Sequence, residues 1–438
     1  MACNRNLRRL INLLLLLTVC ITTSACGEQG NITDNDNNDK GMTENTTENT
    51  AEITTEETKE DDSYKTVNSF FHIGIVTGSF SQSEDDRRGA EAFQEKYGDE
   101  MVTLAIYPDN FAEKKEKTIQ TIVSLADDPK MKAIIVNQAV DGTAEAFRKI
   151  HEVRPDILCI AGEAYEDFDD IGAEADLVVN YDFISRGYLM IRSAHELGCN
   201  TFVHVSFPRH LEYESVSRQV AIMKAACEEF DMKFEMETAP DPTTEKGVPE
   251  AQQYITEHVP EWIEKYGKNA AFFCTNDAHT EPLIKGLLES GGYFIEADLP
   301  SPLMGYPGAL DLDLTDYAGD FDTILAKIEN AVVKEGGAGR FGTWAYSYGY
   351  SVSTGLAEHA RNVILGDSEL NDINDISKAL GSFSVGAMWN GSEYIDADTG
   401  SKSDNIFLVY QDTYIMGDPG RFLGITKVEV PEKYFTVK

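Results

Sequence analysis

The stretch LVVNYDFISRGYLMIRSAHELGCNTFVHVSF, residues 177–207, decides the fold class. It begins with an apolar run at 177–182, continues with a helical pattern over 184–197 that ends at Gly198, and closes with an apolar run at 201–207. Short continuous apolar runs are typical of buried strands, and the longer amphipathic segment is typical of a helix. We therefore predict a strand–helix–strand unit here.

The same alternation continues on both sides of this unit. A helix between 201–207 and 233–238 shows an apolar stripe at steps of three and four residues, and another helix ends at Gly291-Gly292. Apolar strands alternating with amphipathic helices indicate parallel sheets covered on both faces. We predict an α/β protein with two doubly wound parallel-sheet lobes joined by a hinge. The further strands are predicted at 70–76, 101–107, 132–138, 157–163, 233–238 and 270–277.

Three segments carry a family resemblance. Residues 181–208 together with SVSRQVAIMKAACEEFDMKF (215–234) and FFCTNDAHTEPLIKGLLESGG (272–292) resemble type I periplasmic (solute) binding proteins, and are similar to the sugar-binding cores of lactose-repressor-like regulators. The resemblance covers residues 70–310, extends to bacterial lipoproteins of this fold, and is weaker over 310–438. It implies a cleft that closes on a sugar, a nucleoside or an amino-acid-like molecule.

The first 26 residues indicate export. Arg5, Arg8 and Arg9 precede an apolar run at 10–21, which is shorter than the ~20 residues that a spanning helix needs. The run ends in Thr-Ser-Ala-Cys26, which resembles a bacterial lipobox and implies a lipid anchor in the membrane on Cys26. The alternative is an ordinary secretory signal with a chance cysteine, and both interpretations place the protein outside the cytoplasm.

The next segment is too polar to fold. Residues 27–69 contain 12 acidic and 3 basic residues and almost no large apolar side chains, which predicts a disordered acidic tether. The predicted organisation is a signal peptide and lipobox at 1–26, the tether at 27–69, an N-terminal lobe at 70–183, a C-terminal lobe at 184–345, and a crossover back to the first lobe plus a tail at 346–438.

Charge and cysteine usage exclude several function classes. With 37 Lys and Arg against 75 Asp and Glu, the formal net charge of −38 argues against nucleic-acid binding, which requires a basic surface. A DNA-binding regulator of the lactose-repressor type is also excluded. Such a regulator needs a basic helix-turn-helix before the lobes, and this sequence has the predicted export signal and acidic tether there. No CxxC pair is present, so we expect no structural zinc and predict that the four cysteines after the tether are buried free thiols.

Candidate ligand contacts follow from the rule that ligands bind beyond the carboxyl ends of parallel strands. That rule selects polar turn residues after five strands, the resemblance adds Arg218, and two aromatic side chains could stack on a ring. The full candidate set is Ser79, Phe80, Gln138, Glu163, Arg209, Arg218, Asn276, Asp277, Tyr306 and Trp344.

Each candidate also has a structural interpretation. Asn276 and Asp277 precede a helix and are typical N-caps, while Arg218 could pair with Glu214 one turn away. Ser79 and Phe80 could be turn and core residues, Glu163 part of a solvated acidic rim, and Tyr306 and Trp344 core aromatics.

The sequence contains no motif that indicates an enzyme or a metal site. GxSxG, HExxH and phosphate-loop patterns do not occur, and the GxGxxG match at 337–342 follows a helix rather than a strand. The acidic run at 311–322 lacks an EF-hand register. We predict no catalytic residue, no metal and no cofactor.

The sequence therefore predicts a lipid-anchored extracytoplasmic solute-binding protein that captures a small polar ligand and presents it to the membrane permease of an ABC-type transporter. The acidic composition favours a cationic or neutral ligand. One alternative is a sensor lipoprotein of the same fold that is coupled to a signalling partner. Another is a lipoprotein enzyme with a site in residues 310–438.

Overall fold

The structure, a computed structural model, describes residues 70–244 and 246–438. The predicted export signal, the lipidation site Cys26 and the tether lie outside these residues. Within the described ranges, no helix combines the length and the apolar character needed to cross a bilayer.

The described residues alternate between strands and helices for most of their length. The strands are β1 (His72–Thr77), β2 (Val102–Ile106), β3 (Met131–Asn137), β4 (Leu158–Gly162), β5 (Leu177–Tyr181), β6 (Thr201–Ser206), β7 (Lys233–Thr238), β8 (Ala270–Cys274), β9 (Tyr293–Phe294), β10 (Gly342–Trp344), β11 (Trp389–Ile395), β12 (Lys402–Gln411), β13 (Thr413–Ile415) and β14 (Arg421–Phe422). The helices are α1 (Glu84–Tyr97), α2 (Lys115–Val123), α3 (Thr143–Val153), α4 (Phe168–Glu174), α5 (Phe183–Glu196), α6 (Glu214–Glu229), α7 (Gly247–Tyr266), α8 (Asp277–Ser290), α9 (Tyr306–Ala309), α10 (Phe321–Lys334), α11 (Tyr348–Leu365) and α12 (Ile373–Leu380).

Two parallel sheets organise these elements into two lobes, which confirms the predicted fold class. The first lobe has a seven-stranded sheet in the order β11-β12-β5-β4-β3-β1-β2, in which only β11 is antiparallel to its neighbour. The second lobe has a four-stranded parallel sheet in the order β7-β6-β8-β9. A small antiparallel sheet has the order β10-β13-β14. An isolated β-bridge between Phe294, in β9, and Phe341, next to β10, connects it to the second sheet.

The predicted strands agree with the observed ones to within two residues, with one exception. The strand expected over 270–277 ends at Cys274. Asn276 instead accepts a hydrogen bond from the backbone N–H of Ala278, which starts α8 at Asp277. Because Asn276 is the N-cap of the helix, the strand ends before it and does not include the last polar residues of the predicted run. The four cysteines of the described residues, Cys159, Cys199, Cys227 and Cys274, are buried free thiols, as predicted.

The chain crosses between the lobes at three places. The first crossing leads from β5 through Asp182 into α5, the second lies at 345–347 between β10 and α11, and the third lies at Asp412 between β12 and β13. The amide oxygen of Gln411 accepts hydrogen bonds from the backbone N–H groups of Ala345 (2.7 Å) and Tyr346 (3.1 Å). The second and third crossings are therefore held together by one buried side chain.

A buried ion pair ties all three crossings to the second lobe. The guanidinium of Arg186, on α5, donates to the Glu296 carboxylate at 3.0 Å, and both side chains are 1% exposed. The same carboxylate accepts from the indole N–H of Trp344 and from the hydroxyl of Thr413, which flank the second and third crossings. Glu296 is therefore a single acceptor shared by one side chain from each crossing.

The Arg186–Glu296 pair predicts an asymmetric response to mutation. Arg186→Met leaves an unpaired buried carboxylate and is expected to lower the free energy of unfolding by roughly 3–5 kcal/mol. Adding Glu296→Gln removes that charge and keeps an acceptor for Trp344 and Thr413, so the double variant should recover at least half of the loss. Urea denaturation followed by circular dichroism measures both.

The matched control is Arg192→Met on the same helix. Arg192 pairs with Glu196 at 2.8 Å, but both side chains are about one-third or more exposed, so the loss should stay below about 1 kcal/mol. Equal losses for Arg186→Met and Arg192→Met, or no recovery in the double variant, would contradict the assignment of Arg186–Glu296 as the central tie.

Candidate functional site

A cleft between the two lobes has walls from both. One part, here called the Asp86 compartment, has a volume of about 400 Å³. Residues 82–86 at the start of α1 and the turns that follow β3 and β4 line it on one side. The segment 299–304 and Asp277 line it on the other, and residues 347–349, where the second crossing enters α11, close it. This volume lies in the range of small-molecule binding sites.

The second part, here called the Tyr181 compartment, has a volume of about 770 Å³. It is lined by residues 163–168, Asn180, Tyr181, Phe183 and Tyr394 from the first lobe and crossing, and by His210, residues 213–216, Asp298 and Leu299 from the second lobe. Glu163 and Leu299 line both compartments, so the two are neighbouring parts of one cleft.

Two side chains at strand ends enter the cleft from strained backbone. Gln138 follows β3 with φ of 38°, and Glu163 follows β4 with φ of 49°, both in the left-handed region that non-glycine residues rarely adopt. The backbone N–H of Glu163 donates to Val179 O at 2.9 Å, which holds the turn on the end of the neighbouring strand β5. Such strain is typical of functional sites, where the surroundings hold a side chain in place.

Carboxylates dominate the electrostatics of the Asp86 compartment. Asp86, in the first turn of α1, is 4% exposed, and its Oδ1 has no hydrogen-bond partner among the described residues. Burial, reinforced by the charge of Glu163, raises the pKa of Asp86 well above its ordinary value. Burial raises the pKa of Glu163 to about 7, although the hydroxyl of Tyr165, which donates to it at 3.0 Å, opposes the shift.

A further carboxylate faces the cleft from the second lobe. Asp298 is half-buried, and burial raises its pKa to about 6 despite the nearby charge of Arg186. The Arg186 guanidinium donates to the backbone carbonyls of Ala297 (2.8 Å) and Asp298 (3.1 Å), so the same side chain that ties the crossings also fixes this wall.

Three of the predicted site residues line the cleft. Gln138, Glu163 and Asp277 all border the Asp86 compartment. Asn276 is the N-cap of α8, as its structural interpretation predicted, and it places Asp277 at the cleft.

Two predicted loop residues, Ser79 and Phe80, are not among the residues that line the two compartments. The hydroxyl of Ser79 donates to Asp109 at 2.6 Å, and Phe80 is 44% exposed under the Arg88 guanidinium. The helix that follows starts only at Glu84, and the residues of this stretch that line the cleft are Gln82 and Ser83 just before the helix and the three acids of its first turn.

The two predicted arginines are already committed to other partners. Arg209 makes a bidentate pair with Asp241 at 2.8 and 3.1 Å, and its neighbour His210 lines the Tyr181 compartment instead. Arg218 is buried and donates to the carbonyls of Phe435 and Val437, so it anchors the C-terminal segment rather than lining the cleft. It also forms the expected pair with Glu214 at 3.0 Å.

The two predicted aromatic contacts are core residues. Tyr306 is 1% exposed and donates its hydroxyl proton to Gly342 O at 2.7 Å, and Trp344 is fully buried at the second crossing. The phenylalanine and tyrosine rings that do border the cleft are Tyr165, Phe168, Tyr181, Phe183, Tyr213, Tyr348 and Tyr394.

Sequence reasoning missed Asp85, Asp86 and Asp298. The first two belong to the acidic first turn Glu84-Asp85-Asp86, and applying the strand-end rule to the helix after β1 as well as to its loop would have found them. Asp298 follows the very short strand β9 and carries no local signal.

The sequence matches a family model and individual known proteins. The sequence model of the family described as "Protein of unknown function (DUF3798)" matches residues 71–342. A protein from Treponema pallidum (strain Nichols), described as an uncharacterized protein, is 39% identical over 212 residues, which is 48% of this chain and 96% of the relative.

Solved structures are similar in fold. A protein described as a transcriptional regulator from Clostridium difficile 630 superposes with a TM-score of 0.72 at 21% identity, covering 79% of this chain and 99% of its own. A sugar ABC transporter protein from Actinomyces odontolyticus gives a TM-score of 0.49 at 8% identity, covering 83% and 98%. The fold is the two-lobed type I periplasmic binding protein fold, which the sequence resemblance had indicated.

The raised pKa of Glu163 predicts how stability depends on pH. Between its unfolded value of about 4.5 and its folded value of about 7, the folded protein holds a proton that the unfolded chain has released. The free energy of unfolding should therefore fall as pH rises through this window. The titratable groups that face Glu163 are Asp86, Tyr107, Tyr165, Tyr181 and Tyr348.

Glu163→Gln isolates this contribution from the general charge repulsion of an acidic protein. From pH 5 to pH 8 the wild type should lose on the order of 2–3 kcal/mol more stability than Glu163→Gln in urea titrations. The control Asp404→Asn removes one exposed acid on β12 and should keep the wild-type slope. A Glu163→Gln slope equal to that of the wild type would show that this carboxyl titrates normally.

Proposed function

The chain belongs to the DUF3798 family, and we propose that it is an extracytoplasmic binding protein that captures a small polar ligand between its two lobes. The observation that carries the proposal is the cleft itself, because both lobes line it and residues of the first two crossings border it. Folds with two lobes and a hinge bind ligands by closing around them.

Several properties of the cleft support capture of a ligand over a purely structural gap. Its Asp86 compartment carries a buried carboxylate oxygen without a partner, and two strained residues project into it. An unsatisfied buried polar group destabilises a protein by about 1–3 kcal/mol, so an unpaired carboxylate oxygen on a side chain that borders a cavity favours a binding role.

The mechanism we propose is hinge closure. A ligand that contacts both walls binds the closed form better than the open one, and it shifts the population by as much as that difference in affinity allows. Closure then excludes water from the contacts, which strengthens each charged hydrogen bond.

We further propose that the protein is anchored by a lipid on Cys26 and that its closed form is recognised by the permease of an ABC-type transporter. The lipobox resemblance and the acidic tether support the anchor. The fold, which periplasmic binding proteins share, supports the transporter as partner.

A ligand screen tests the proposal. The purified full chain is screened by thermal shift against sugars, nucleosides, amino acids and amines. A true ligand at about 100 times its dissociation constant should stabilise the protein by about 2.7 kcal/mol.

A variant that fills the cleft tests where a hit binds. Leu299→Trp enlarges a half-buried residue that lines both compartments and should remove the stabilisation. Val153→Trp, at a residue that is 69% exposed and outside the cleft, should keep it. A screen without a hit, or a hit that survives Leu299→Trp, would contradict capture between the lobes.

A further inference from the structure

The charge of the cleft identifies the class of its ligand. Nine acidic residues line the two compartments, and within the described ranges neither lining includes a lysine or an arginine. The nearest basic ring is His210, and burial lowers its pKa, which favours the neutral imidazole. A surface with carboxylates on both walls and no cation between them attracts positive charge.

Four of the nine acids are explained by partners within the protein. Glu84 pairs with Arg88 and Glu214 pairs with Arg218. Glu166 accepts hydrogen bonds from two backbone N–H groups at the start of α3, and Asp167 caps α4. The five acids that remain are Asp85, Asp86, Glu163, Asp277 and Asp298.

Asp86 is the member of this set that requires a ligand most directly. Its side chain is more than nine-tenths buried and borders the cavity, yet Oδ1 accepts no hydrogen bond in the described chain. The N-terminus of α1 favours acids by its dipole, but it supplies no donor to this oxygen. Glu163, 7% exposed, receives only the hydroxyl of Tyr165 among the described residues.

The geometry favours an organic cation over a metal ion. In the described part of the chain, one group of three or more His, Cys, Asp or Glu side chains converges closely enough to hold a metal, and it is His151, Cys159 and Asp176, outside the cleft. The cleft carboxylates are instead spread around cavities of about 400 and 770 Å³. Charges spread in this way match a molecule with separated N–H donors.

The aromatic rings of the cleft fit the same chemistry. Tyr165 and Tyr348 border the compartments, and the charges of Glu163 and Asp86 contribute to raising the pKa of both phenols, which places the rings beside the carboxylates. Tyrosine faces attract ammonium and guanidinium groups and so reinforce a neighbouring carboxylate contact.

We propose that the ligand of this cleft is a small organic cation whose primary ammonium or guanidinium group donates hydrogen bonds to Asp86 and Glu163. This inference rests on the proposed capture of a ligand between the lobes. A second cationic or donor group of the ligand meets Asp277 or Asp298 on the opposite wall, which couples binding to closure. Primary amines and guanidines fit better than quaternary ammonium, because the free carboxylate oxygen needs an N–H donor.

Isothermal titration calorimetry with matched probes tests the inference on the full chain. The probes are agmatine and 1,4-diaminobutane, their uncharged analogue 1,4-butanediol, the quaternary choline, and magnesium and calcium chloride. We expect at least one of the two amines to bind at least tenfold more tightly than 1,4-butanediol, choline or either metal.

Asp86→Asn separates a ligand contact from a structural role. It removes a buried charge with almost no change in shape, so the free protein should be at least as thermally stable as the wild type while amine affinity falls at least tenfold. The control Asp404→Asn removes the same formal charge on the outside of β12 and should leave amine affinity within twofold.

The outcomes distinguish this inference from the proposed function. Tight binding of a neutral sugar or nucleoside that Leu299→Trp abolishes would overturn the cation and leave capture between the lobes intact. Tighter binding of a metal than of both amines, or amine binding that Asp86→Asn leaves unchanged, would also overturn it. A chain that binds no probe and no member of the wider screen would contradict both proposals.

Discussion

The buried ion pair between Arg186 and Glu296 is the interaction on which the arrangement of the two lobes depends. A carboxylate without solvent requires all its lone pairs to be satisfied, and Glu296 meets this need with donors from Arg186, Trp344 and Thr413. Those three residues come from the neighbourhood of three different crossings. The cost of leaving any of them unpaired keeps the three crossings together.

The same arginine also connects the hinge to the binding surface. Two of its nitrogens donate to the carbonyls of Ala297 and Asp298, which positions an acidic residue of the second wall. On the first wall, the strand-end turns at Gln138 and Glu163 adopt left-handed backbone to present their side chains. Hydrogen bonds therefore hold part of each wall in place before a ligand binds, an arrangement that reduces the ordering entropy lost on binding.

The sequence predicted the lobes well because their signals are local. Apolar runs and helical stripes are properties of single segments, so β1 to β8 could be placed within a few residues. The strand-end rule likewise selected three residues that line the cleft, Gln138, Glu163 and Asp277. Ser79 and Phe80 do not line it, because α1 begins several residues after β1 and the lining starts at Gln82.

Arg218, Tyr306 and Trp344 also lie outside the lining. Each has a partner more than 30 residues away in sequence, and pairing over such distances leaves no periodic signal.

Carboxylates on both walls make the proposed closure depend on whether a cation is bound, which the fold alone does not require. Moving Asp277 and Asp298 toward Asp86 and Glu163 without a cation between them increases their mutual repulsion and removes water from each. Under this proposal, the cleft without a cation favours the open form. A bound cation offsets both the repulsion and the loss of water, because the carboxylates of each wall are attracted to it as the cleft closes. Its affinity for the closed form exceeds its affinity for the open form for this electrostatic reason, and that difference is what a population shift requires. The unpaired acids, costly for the stability of the free protein, thereby make closure conditional on occupancy.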